Sequence, residues 1–318
     1  MRLLVRSLLL LLGGLVFFAL AGVVAVWAPD QSVETLGQRW AGPPSQFVAV
    51  DGLRVHLRDE GPRDDPLPVV LLHGTSDSLH TWDGWAAVLS TRRRVIRFDL
   101  AGFGLTGPNA DNDYSVNRYV QQLGAVLDHL GVQRVVLGGN SLGGHVAWAG
   151  ALAMPQRVAR LVLVDAGGYA VAPQDVPVAW RLARVPGLGR VLEHLLPRGL
   201  VLASVRNVYG DPAKVSPALV DRYYDMALRA GNRRALGYRM EQGLADGSAR
   251  IRTLVLPTLI LWGARDRLIP LQSAEQFARD VPGSKLVVFD DLGHLPHQED
   301  PQRTVRELQR FLDGDLVN

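Results

Sequence analysis

The chain of 318 residues contains no cysteine. A thiol nucleophile, a thiolate metal site and a disulfide are therefore all excluded. An excess of one charge is also lacking, because 34 basic and 31 acidic residues leave a formal net charge of +3. A chain this close to neutral is not expected to bind nucleic acid. The sequence does have 47% hydrophobic residues, which is too apolar for a disordered chain and enough for a large core.

One long apolar run stands at the N-terminus. Residues Leu8 to Ala28 carry no charge, Arg2 and Arg6 precede them, and Asp30 follows. About 20 residues of helix cross about 30 Å of hydrocarbon, and flanking arginines stay in the cytoplasm. We therefore predict a transmembrane signal anchor at residues 1–28, with the remaining chain extracytoplasmic (periplasmic in a bacterium). The alternative is a secreted protein, cleaved after the small-x-small tripeptide Ala19-Leu20-Ala21.

Beyond the anchor, strand and helix patterns alternate. Proline and glycine punctuate residues 29–45, which predicts a linker. Alternating patterns on either side of Asp51-Gly52 predict a hairpin of two strands, Phe47–Val50 and Leu53–Arg58. Six short, mainly apolar segments predict the other strands: Pro68–Leu72, Val95–Phe98, Arg134–Leu137, Leu161–Val164, Thr258–Trp262 and Leu286–Phe289. Helical patterns lie between several of them: Trp82–Leu89, Val116–Leu130, Leu142–Met154, Leu271–Val281 and Thr304–Leu312. This order predicts an α/β fold with a mostly parallel eight-stranded sheet flanked by helices.

The alternation stops after the sixth predicted strand. Residues 169–250 contain no convincing strand and several helical patterns, such as Trp180–Leu200 and Pro217–Ala230. We interpret this stretch as a helical insertion of subdomain size. The α/β core is then predicted in two parts, 46–168 and 251–318.

A glycine-flanked serine joins a predicted strand to a predicted helix. In Gly139-Asn-Ser141-Leu-Gly143 the small residues allow the strand and the helix to approach closely. The tight turn exposes the serine hydroxyl beside a helix N-terminus, whose dipole favours a developing anion. Ser141 is therefore the candidate nucleophile.

A serine hydroxyl needs a base, and the base needs an orienting acid. His294 follows the last predicted strand and is the candidate base, in preference to His297 at the start of the last helix. Asp266 follows the strand Thr258–Trp262 and is the candidate acid, with Asp165 as its rival. The chain order Ser, Asp, His fits this choice.

Further residues are assigned around these three. The backbone N–H groups of Leu142 and Thr75 are candidate oxyanion donors. Trp82, Trp148 and Asn140 are candidates for lining the substrate pocket, although core packing is equally compatible with the tryptophans. His73 and His145 are expected to be structural. No cluster has metal-ligand spacing, so neither a metal nor another cofactor is expected.

These motifs together resemble the α/β-hydrolase fold superfamily. The resemblance covers residues from about Phe47 to Leu312 and rests on five motifs in order: His73-Gly74, Asp99-Leu-Ala-Gly102-Phe-Gly104, Gly139-Asn-Ser141-Leu-Gly143, Gly263-Ala-Arg-Asp266 and Gly293-His294 with Glu299-Asp-Pro301. It implies a triad of Ser141, His294 and Asp266 beneath a helical cap formed by the insertion. The chain looks most like the branch that holds carboxylesterases, lipases and carbon–carbon bond hydrolases.

The resemblance leads to one expected function and three alternatives. We expect a membrane-anchored serine hydrolase that cleaves a carboxylic ester or related acyl bond of a small or lipid-like substrate. The alternatives that keep the triad are a hydrolase of carbon–carbon bonds in vinylogous diketones and a cofactor-free perhydrolase. The alternative of another class is a ligand-binding module with little turnover.

Overall fold

A computed structural model describes residues 2–170, 193–243 and 247–314. Its centre is a single sheet of eight strands in the order β1-β2-β4-β3-β5-β6-β7-β8. The strands are β1 Gln46–Val50, β2 Leu53–Glu60, β3 Val69–Leu72, β4 Val95–Phe98, β5 Val135–Asn140, β6 Val158–Val164, β7 Thr258–Gly263 and β8 Lys285–Phe289. The β1–β2 and β2–β4 pairs are antiparallel, and the other pairs are parallel. The predicted eight-stranded, mostly parallel sheet is confirmed.

Helices cover both faces of this sheet. In the core they are α3 Asp83–Leu89, α4 Val116–His129, α5 Leu142–Ala153, α10 Leu271–Asp280, α11 Pro296–Glu299 and α12 Pro301–Asp313, with a 3-10 turn at Leu79–Trp82. Two apolar clusters result, one per face. Strands β3, β4, β5 and β7 are buried at every position, which explains why their sequences are mainly apolar.

The insertion after β6 is helical in its described part. It contains α6 Arg198–Val208, α7 Pro217–Leu228, α8 Asn232–Gln242 and α9 Ser248–Ile251, with a 3-10 turn at Pro212–Lys214. Residues 180–192 of the predicted helix Trp180–Leu200 lie outside the described residues. Val205, Val220 and Leu295 share one apolar cluster, so this insertion packs against the loop that follows β8.

The segment predicted as a linker is ordered and packed. Helix α2 spans Val33–Trp40, and the side chain of Ser32 caps its N-terminus. Leu36 of this helix is buried in a cluster with Leu105 and Met226, the latter from α7. Within residues 29–45, which the sequence predicts to be a linker, the chain thus forms an amphipathic helix whose apolar face packs against the core and the insertion.

The N-terminal residues form helix α1, Arg2–Val26. Across the ranges that the structure describes, no helix meets both the length and the apolarity that crossing a membrane demands. The predicted transmembrane helix at residues 1–28 is thus without support from the structure. The backbone directly after α1 contacts the insertion, since Ala28 N donates to His194 O at 3.0 Å.

Candidate active site

The turn between β5 and α5 holds Ser141 in a rare backbone conformation. Its φ is +54° and its ψ is −116°, a strained region for a residue with a side chain. Two glycines make the turn possible. A Cβ on Gly139 would lie 2.2 Å from the carbonyl oxygen of Gly143, and one on Gly143 would lie 2.2 Å from that of Leu72. The strand–turn–helix geometry predicted for Ser141 is therefore what the chain adopts.

His294 and Asp266 form a hydrogen-bonded pair. His294 Nδ1 lies 2.7 Å from Asp266 Oδ2, and both side chains are buried. The other carboxylate oxygen of Asp266 accepts from the N–H groups of Leu268 at 2.7 Å and Ile269 at 3.0 Å. Because the carboxylate accepts at Nδ1, the proton of a neutral His294 ring sits there, and Nε2 keeps a free lone pair.

Asn140 connects this pair to the serine turn. Its Nδ2 donates to the carbonyl oxygens of Val164 at 3.1 Å and of His294 at 3.0 Å. The backbone of the histidine is thereby fixed beside the residue that precedes Ser141. The side chain of Asn140 is fully buried, and its hydrogen bonds link the end of β6 to the loop that follows β8. Asn140 Oδ1 has no hydrogen-bond partner among the described residues, and its predicted place in a substrate pocket stays a prediction.

The loop after β3 lies against the serine turn. A Cβ on Gly74 would be 3.1 Å from Ser141 Cβ, which brings the next residue, Thr75, close to the nucleophile candidate. Neither Thr75 N nor Leu142 N donates to a protein acceptor in the described ranges. Leu142 opens α5, where the first N–H groups have no partner within the helix. Two free donors therefore flank Ser141.

The predicted tryptophans pack in the core. Trp82 is fully buried and stacks on the His297 ring at 4.0 Å between centroids. Trp148 is buried on the other sheet face, stacks on His145 at 4.5 Å and donates through Nε1 to Gly167 O at 2.9 Å. The burial of both rings agrees with core packing, and their predicted place in a substrate pocket stays a prediction.

The remaining histidines of the sequence motifs have structural partners. His73 Nδ1 contacts Gly74 O at 2.7 Å, and its Nε2 accepts from Leu100 N at 2.9 Å. His297 is fully buried, and its Nε2 lies 2.9 Å from Thr81 Oγ1. Burial lowers the pKa of His297 well below its usual value and the pKa of His145 to about 4. Both rings are therefore buried and held neutral, His297 beside Thr81 and His145 against Trp148.

A second Ser-His-Asp line occurs elsewhere in the core. His56 contacts Asp99 Oδ2 through Nδ1 at 2.8 Å and Ser45 Oγ through Nε2 at 2.9 Å. Ser45 precedes strand β1, so no helix N-terminus supplies oxyanion donors beside it. Asp99 also accepts hydrogen bonds from the N–H groups of Leu79 and Leu105, each at 2.7 Å, so its role is to hold neighbouring loops together. Ser45, His56 and Asp99 therefore provide a control for substitutions at Ser141.

Glu299 is a site residue that sequence reasoning missed. Its Oε2 accepts from Gly293 N at 3.0 Å and Gly210 N at 2.8 Å, and its Oε1 accepts from Asp211 N at 2.9 Å. The carboxylate thus joins the loop that carries His294 to the insertion. The motif containing Glu299 was visible in the sequence, but its three backbone partners come from two distant segments, which no local pattern reveals.

Replacing Glu299 with Gln is expected to loosen the His294 loop. The amide nitrogen would face a backbone N–H, and charge-assisted hydrogen bonds worth roughly 1.5–3 kcal/mol each would be lost. We expect the free energy of unfolding to fall by about 2–3 kcal/mol and kcat/KM to fall about tenfold through misplacement of the imidazole. Urea unfolding and ester kinetics measure the two effects. The control is Glu275→Gln on the exposed surface of α10; equal losses in both variants would contradict the role of Glu299.

Asp165, the rival acid, lies in the same site. It is fully buried, and one of its carboxyl oxygens lies with an Asp266 oxygen and a His294 nitrogen in a group whose atoms are all within 4.8 Å of one another. Burial, and then the negative charge of Asp266, raise the pKa of Asp165 well above its usual value. Across the described ranges this is the one group with spacing for a metal ion, and it coincides with the candidate catalytic pair.

A buried arginine lies near the loop that carries Thr75. Arg222 of α7 donates from Nη1 to His80 O at 3.2 Å, and its Nη2 is 3.9 Å from Asp77 Oδ1. Its Nε and Nη2 have no hydrogen-bond partner among the described residues. Asp77 is also held by the hydroxyl of Tyr223 at 2.7 Å. Arg222 is therefore paired with Asp77, which follows Thr75 by two positions in the chain. The insertion thus places a guanidinium beside the loop that carries Thr75.

Comparison with protein families identifies the fold. The model described as "alpha/beta hydrolase fold" matches residues 68–301. The chain belongs to the alpha/beta hydrolase fold family. The matched range of this alpha/beta hydrolase includes Ser141, Asp266 and His294. It also encloses the whole insertion, whose helices occupy the position that the resemblance implied for a cap.

Several relatives extend over most of this hydrolase. A 2-hydroxy-6-oxo-2,4-heptadienoate hydrolase of Pseudomonas putida is 32% identical over 282 residues, which cover 85% of this chain and 96% of that protein. An uncharacterized protein of Mycobacterium tuberculosis is 34% identical over 290 residues, 86% of this chain and 82% of its own. Among solved structures, a bacterial membrane phospholipase A superposes with a TM-score of 0.73 at 26% identity and covers 99% of both chains.

Proposed function

We propose that this protein is a serine hydrolase of carboxylic esters that works through an acyl-enzyme. Ser141 Oγ attacks the ester carbonyl while His294 Nε2 takes its proton. The N–H groups of Thr75 and Leu142 bind the oxyanion, and the protonated His294, held by Asp266, gives its proton to the leaving alcohol. Water then attacks the acyl-enzyme, again with His294 as base, and releases the acid. The chemistry uses side chains and water alone.

The strongest support is a strained serine turn that is hydrogen-bonded to the loop carrying an oriented imidazole. Ser141 has a φ of +54°, and Asn140, directly before it, donates to the carbonyl oxygen of His294 at 3.0 Å. The His294 ring is turned by the 2.7 Å contact with Asp266 so that its free nitrogen can accept a proton. Free N–H donors at Thr75 and Leu142 complete the requirements for acyl transfer.

A fluorophosphonate probe tests the nucleophile directly. We expect the folded protein to form one adduct, at Ser141, identified by mass spectrometry of tryptic peptides. The Ser141→Ala variant should not react, whereas Ser45→Ala, which removes the hydroxyl of the other Ser-His-Asp line, should react as the wild type does. Folded wild-type protein without an adduct would disprove the proposal and favour a binding module with little turnover.

Hydrolysis of a carbon–carbon bond is the second candidate. The Pseudomonas putida relative is named for a dienoate substrate, whose carboxylate would need a cationic partner. Arg222 lies on the insertion near the Thr75 loop, and its Nε and Nη2 make no hydrogen bond among the described residues, although Nη2 lies 3.9 Å from the carboxylate of Asp77. A guanidinium with donors left over beside Asp77 could bind a substrate carboxylate. The same triad would then act on a ketone carbonyl in place of an ester carbonyl.

Arg222 separates the two candidates. Ester hydrolysis predicts that kcat/KM is higher for a neutral para-nitrophenyl butyrate than for 2-hydroxy-6-oxo-2,4-heptadienoate, and that Arg222→Gln changes ester turnover by less than about threefold. Carbon–carbon bond hydrolysis predicts the reverse order of substrates and a loss of about 100-fold or more for the dienoate in Arg222→Gln, because a buried charge contact is worth several kcal/mol. Esters of graded acyl length then define the physiological class, including lipid-like ones.

We also propose that α1 attaches the enzyme to a membrane, with the hydrolase domain extracytoplasmic. Large apolar side chains of α1 are exposed by 55–78%, namely Leu10, Leu11, Leu12, Leu15, Phe17 and Phe18. The match to a membrane phospholipase A over 99% of this chain includes this helix. Fractionation of the full chain and of a variant lacking residues 1–28 tests the attachment. Recovery of the full chain in the soluble fraction, uncleaved, would refute it, and an N-terminus at Gly22 would indicate a cleaved secretory signal.

A further inference from the structure

Two carboxyl groups face the single imidazole of the site. Asp165 follows β6 and Asp266 follows β7, and these strands are parallel neighbours with Val164 opposite Leu261. Their carboxyl ends therefore meet at one edge of the sheet. One atom each of Asp165, Asp266 and His294 lies within 4.8 Å of the other two. Of the two acids, Asp266 holds the ring, at 2.7 Å.

The fold holds both the backbone and the side chain of Asp165 in place. Its φ is +44°, its side chain has no solvent exposure, and its backbone N–H donates to Leu261 O at 3.0 Å. Its Oδ1 accepts from Gly263 N at 3.0 Å. Its Oδ2 is buried and meets no donor among the described residues. An ionised carboxylate oxygen at this position would lose its hydration without gaining a hydrogen bond, which destabilises the charged form.

The charged groups around Asp165 oppose its ionisation. Asp266, on the loop after β7, and Glu299, on α11, are both acidic and both act to raise its pKa. The titratable group that faces it from the loop before α11 is His294, which already binds Asp266. Two buried carboxylates this close cannot both ionise near neutral pH without strong repulsion.

The donor count decides which acid carries the proton. Asp266 accepts three N–H groups, from His294, Leu268 and Ile269, at 2.7–3.0 Å. Asp165 accepts one, from Gly263. Hydrogen bonds donated to a carboxylate stabilise its charged form, so the shared proton belongs on Asp165.

We propose that Asp165 is a positioning residue that remains a neutral carboxylic acid and donates its proton to the carboxylate of Asp266. This inference rests on the proposed function. The bond gives the buried Oδ2 of Asp165 its missing partner and holds Asp266 through a second side chain besides His294. It also leaves one negative charge in the site, which balances one imidazolium during acyl transfer. Asp165 acts on the reaction only through Asp266.

The test compares two variants at Asp165. Asp165→Asn keeps a donor, tolerates the positive φ and lacks an ionisable proton. Asp165→Gly also tolerates the φ but removes the donor. For each, kcat/KM for a neutral aryl ester is measured from pH 5 to 9, because its acid limb reports the pKa of His294 in the free enzyme. Asp290→Asn, which removes an exposed carboxylate from the loop after β8, is the control.

If Asp165 is neutral, Asp165→Asn leaves the charge of the site unchanged. We then expect its acid limb to coincide with the wild-type limb and its rate to stay within about threefold. Asp165→Gly should lose about 10- to 100-fold in kcat/KM, because Asp266 and the imidazole are less well held. A purely structural Asp165 would alter stability in both variants without this split in rate.

Two results would overturn the inference. An acid limb that moves about one pH unit or more lower in Asp165→Asn would show that a negative charge beside His294 was removed, hence that Asp165 was ionised. A wild-type rate in Asp165→Gly would show that Asp266 needs no support. If that variant fails to fold, the acid limb of Asp165→Asn alone decides. Wild-type protein must first react with the fluorophosphonate at Ser141, and absence of that adduct counts against the proposed function instead.

Discussion

Replacing Ser141 with Ala is expected to lower kcat/KM for an aryl ester by about 10⁵- to 10⁶-fold, with the fold unchanged. The substitution removes one oxygen atom and leaves the Cβ in place, so the strain at φ +54° is the same before and after. The hydroxyl makes no hydrogen bond on which the described part of the core depends. The effect should therefore appear in kcat/KM and leave thermal unfolding within about 1 °C.

Ser45→Ala provides the matched control for this prediction. Ser45 also contacts a histidine that is held by an aspartate, with Ser45 Oγ 2.9 Å from His56 Nε2. It differs from Ser141 because it lies on no strained turn and beside no helix N-terminus. We expect Ser45→Ala to keep activity within about threefold and to lose about 1–3 kcal/mol of stability, because Ser45 Oγ makes two hydrogen bonds, with His56 Nε2 and Arg58 Nε. A comparable rate loss in both variants would contradict a unique role for Ser141.

Replacing His294 with Ala is expected to cost about as much as loss of the serine, roughly 10⁵- to 10⁶-fold in kcat/KM. Without the imidazole nothing can accept the Ser141 proton, and the two groups work as one unit. The fluorophosphonate reaction, which depends on the same proton transfer, should slow in parallel. The double variant with Ser141→Ala should be no slower than either single variant, and additive losses would contradict the shared step.

His297→Gln is the control for the base. His297 lies three residues away, but its ring is buried against Trp82 and its Nε2 is engaged with Thr81 Oγ1 at 2.9 Å. Gln can keep a polar contact to Thr81 while losing the stacking, so we expect lower stability and activity within about tenfold. If His297→Gln were the inactive variant and His294→Ala the active one, the assignment of the base would be reversed.

The sequence went far in predicting the core of this site. The parallel strands are visible in the sequence because buried strands are largely apolar, as in β3, Val69–Leu72. The turn at Ser141 is visible because a Cβ on either Gly139 or Gly143 would lie 2.2 Å from a backbone carbonyl oxygen, so only glycine fits there. Local steric requirements therefore mark the candidate nucleophile within a pentapeptide.

Other features escaped because they depend on segments far apart in the chain. Helix α2 was interpreted as a linker, since its few apolar residues become a buried face only against α7. The hydrogen bond from the Asn140 amide to His294 O was missed, because the two residues lie 154 positions apart. Glu299 was passed over because its partners Gly293 and Gly210 meet only in the folded chain.

By itself the sequence determined the alternation of strand and helix, the strained serine and the order of the candidate acid and base. Those features follow from periodicity and from steric needs within a few residues. Tertiary structure alone decided that Asp165 and Asp266, 101 positions apart, share one buried place. The pairing of β6 with β7 brings the two residues together. The repulsion between their carboxyl groups depends on the distance between them and on their burial, and neither quantity can be read from a local sequence segment.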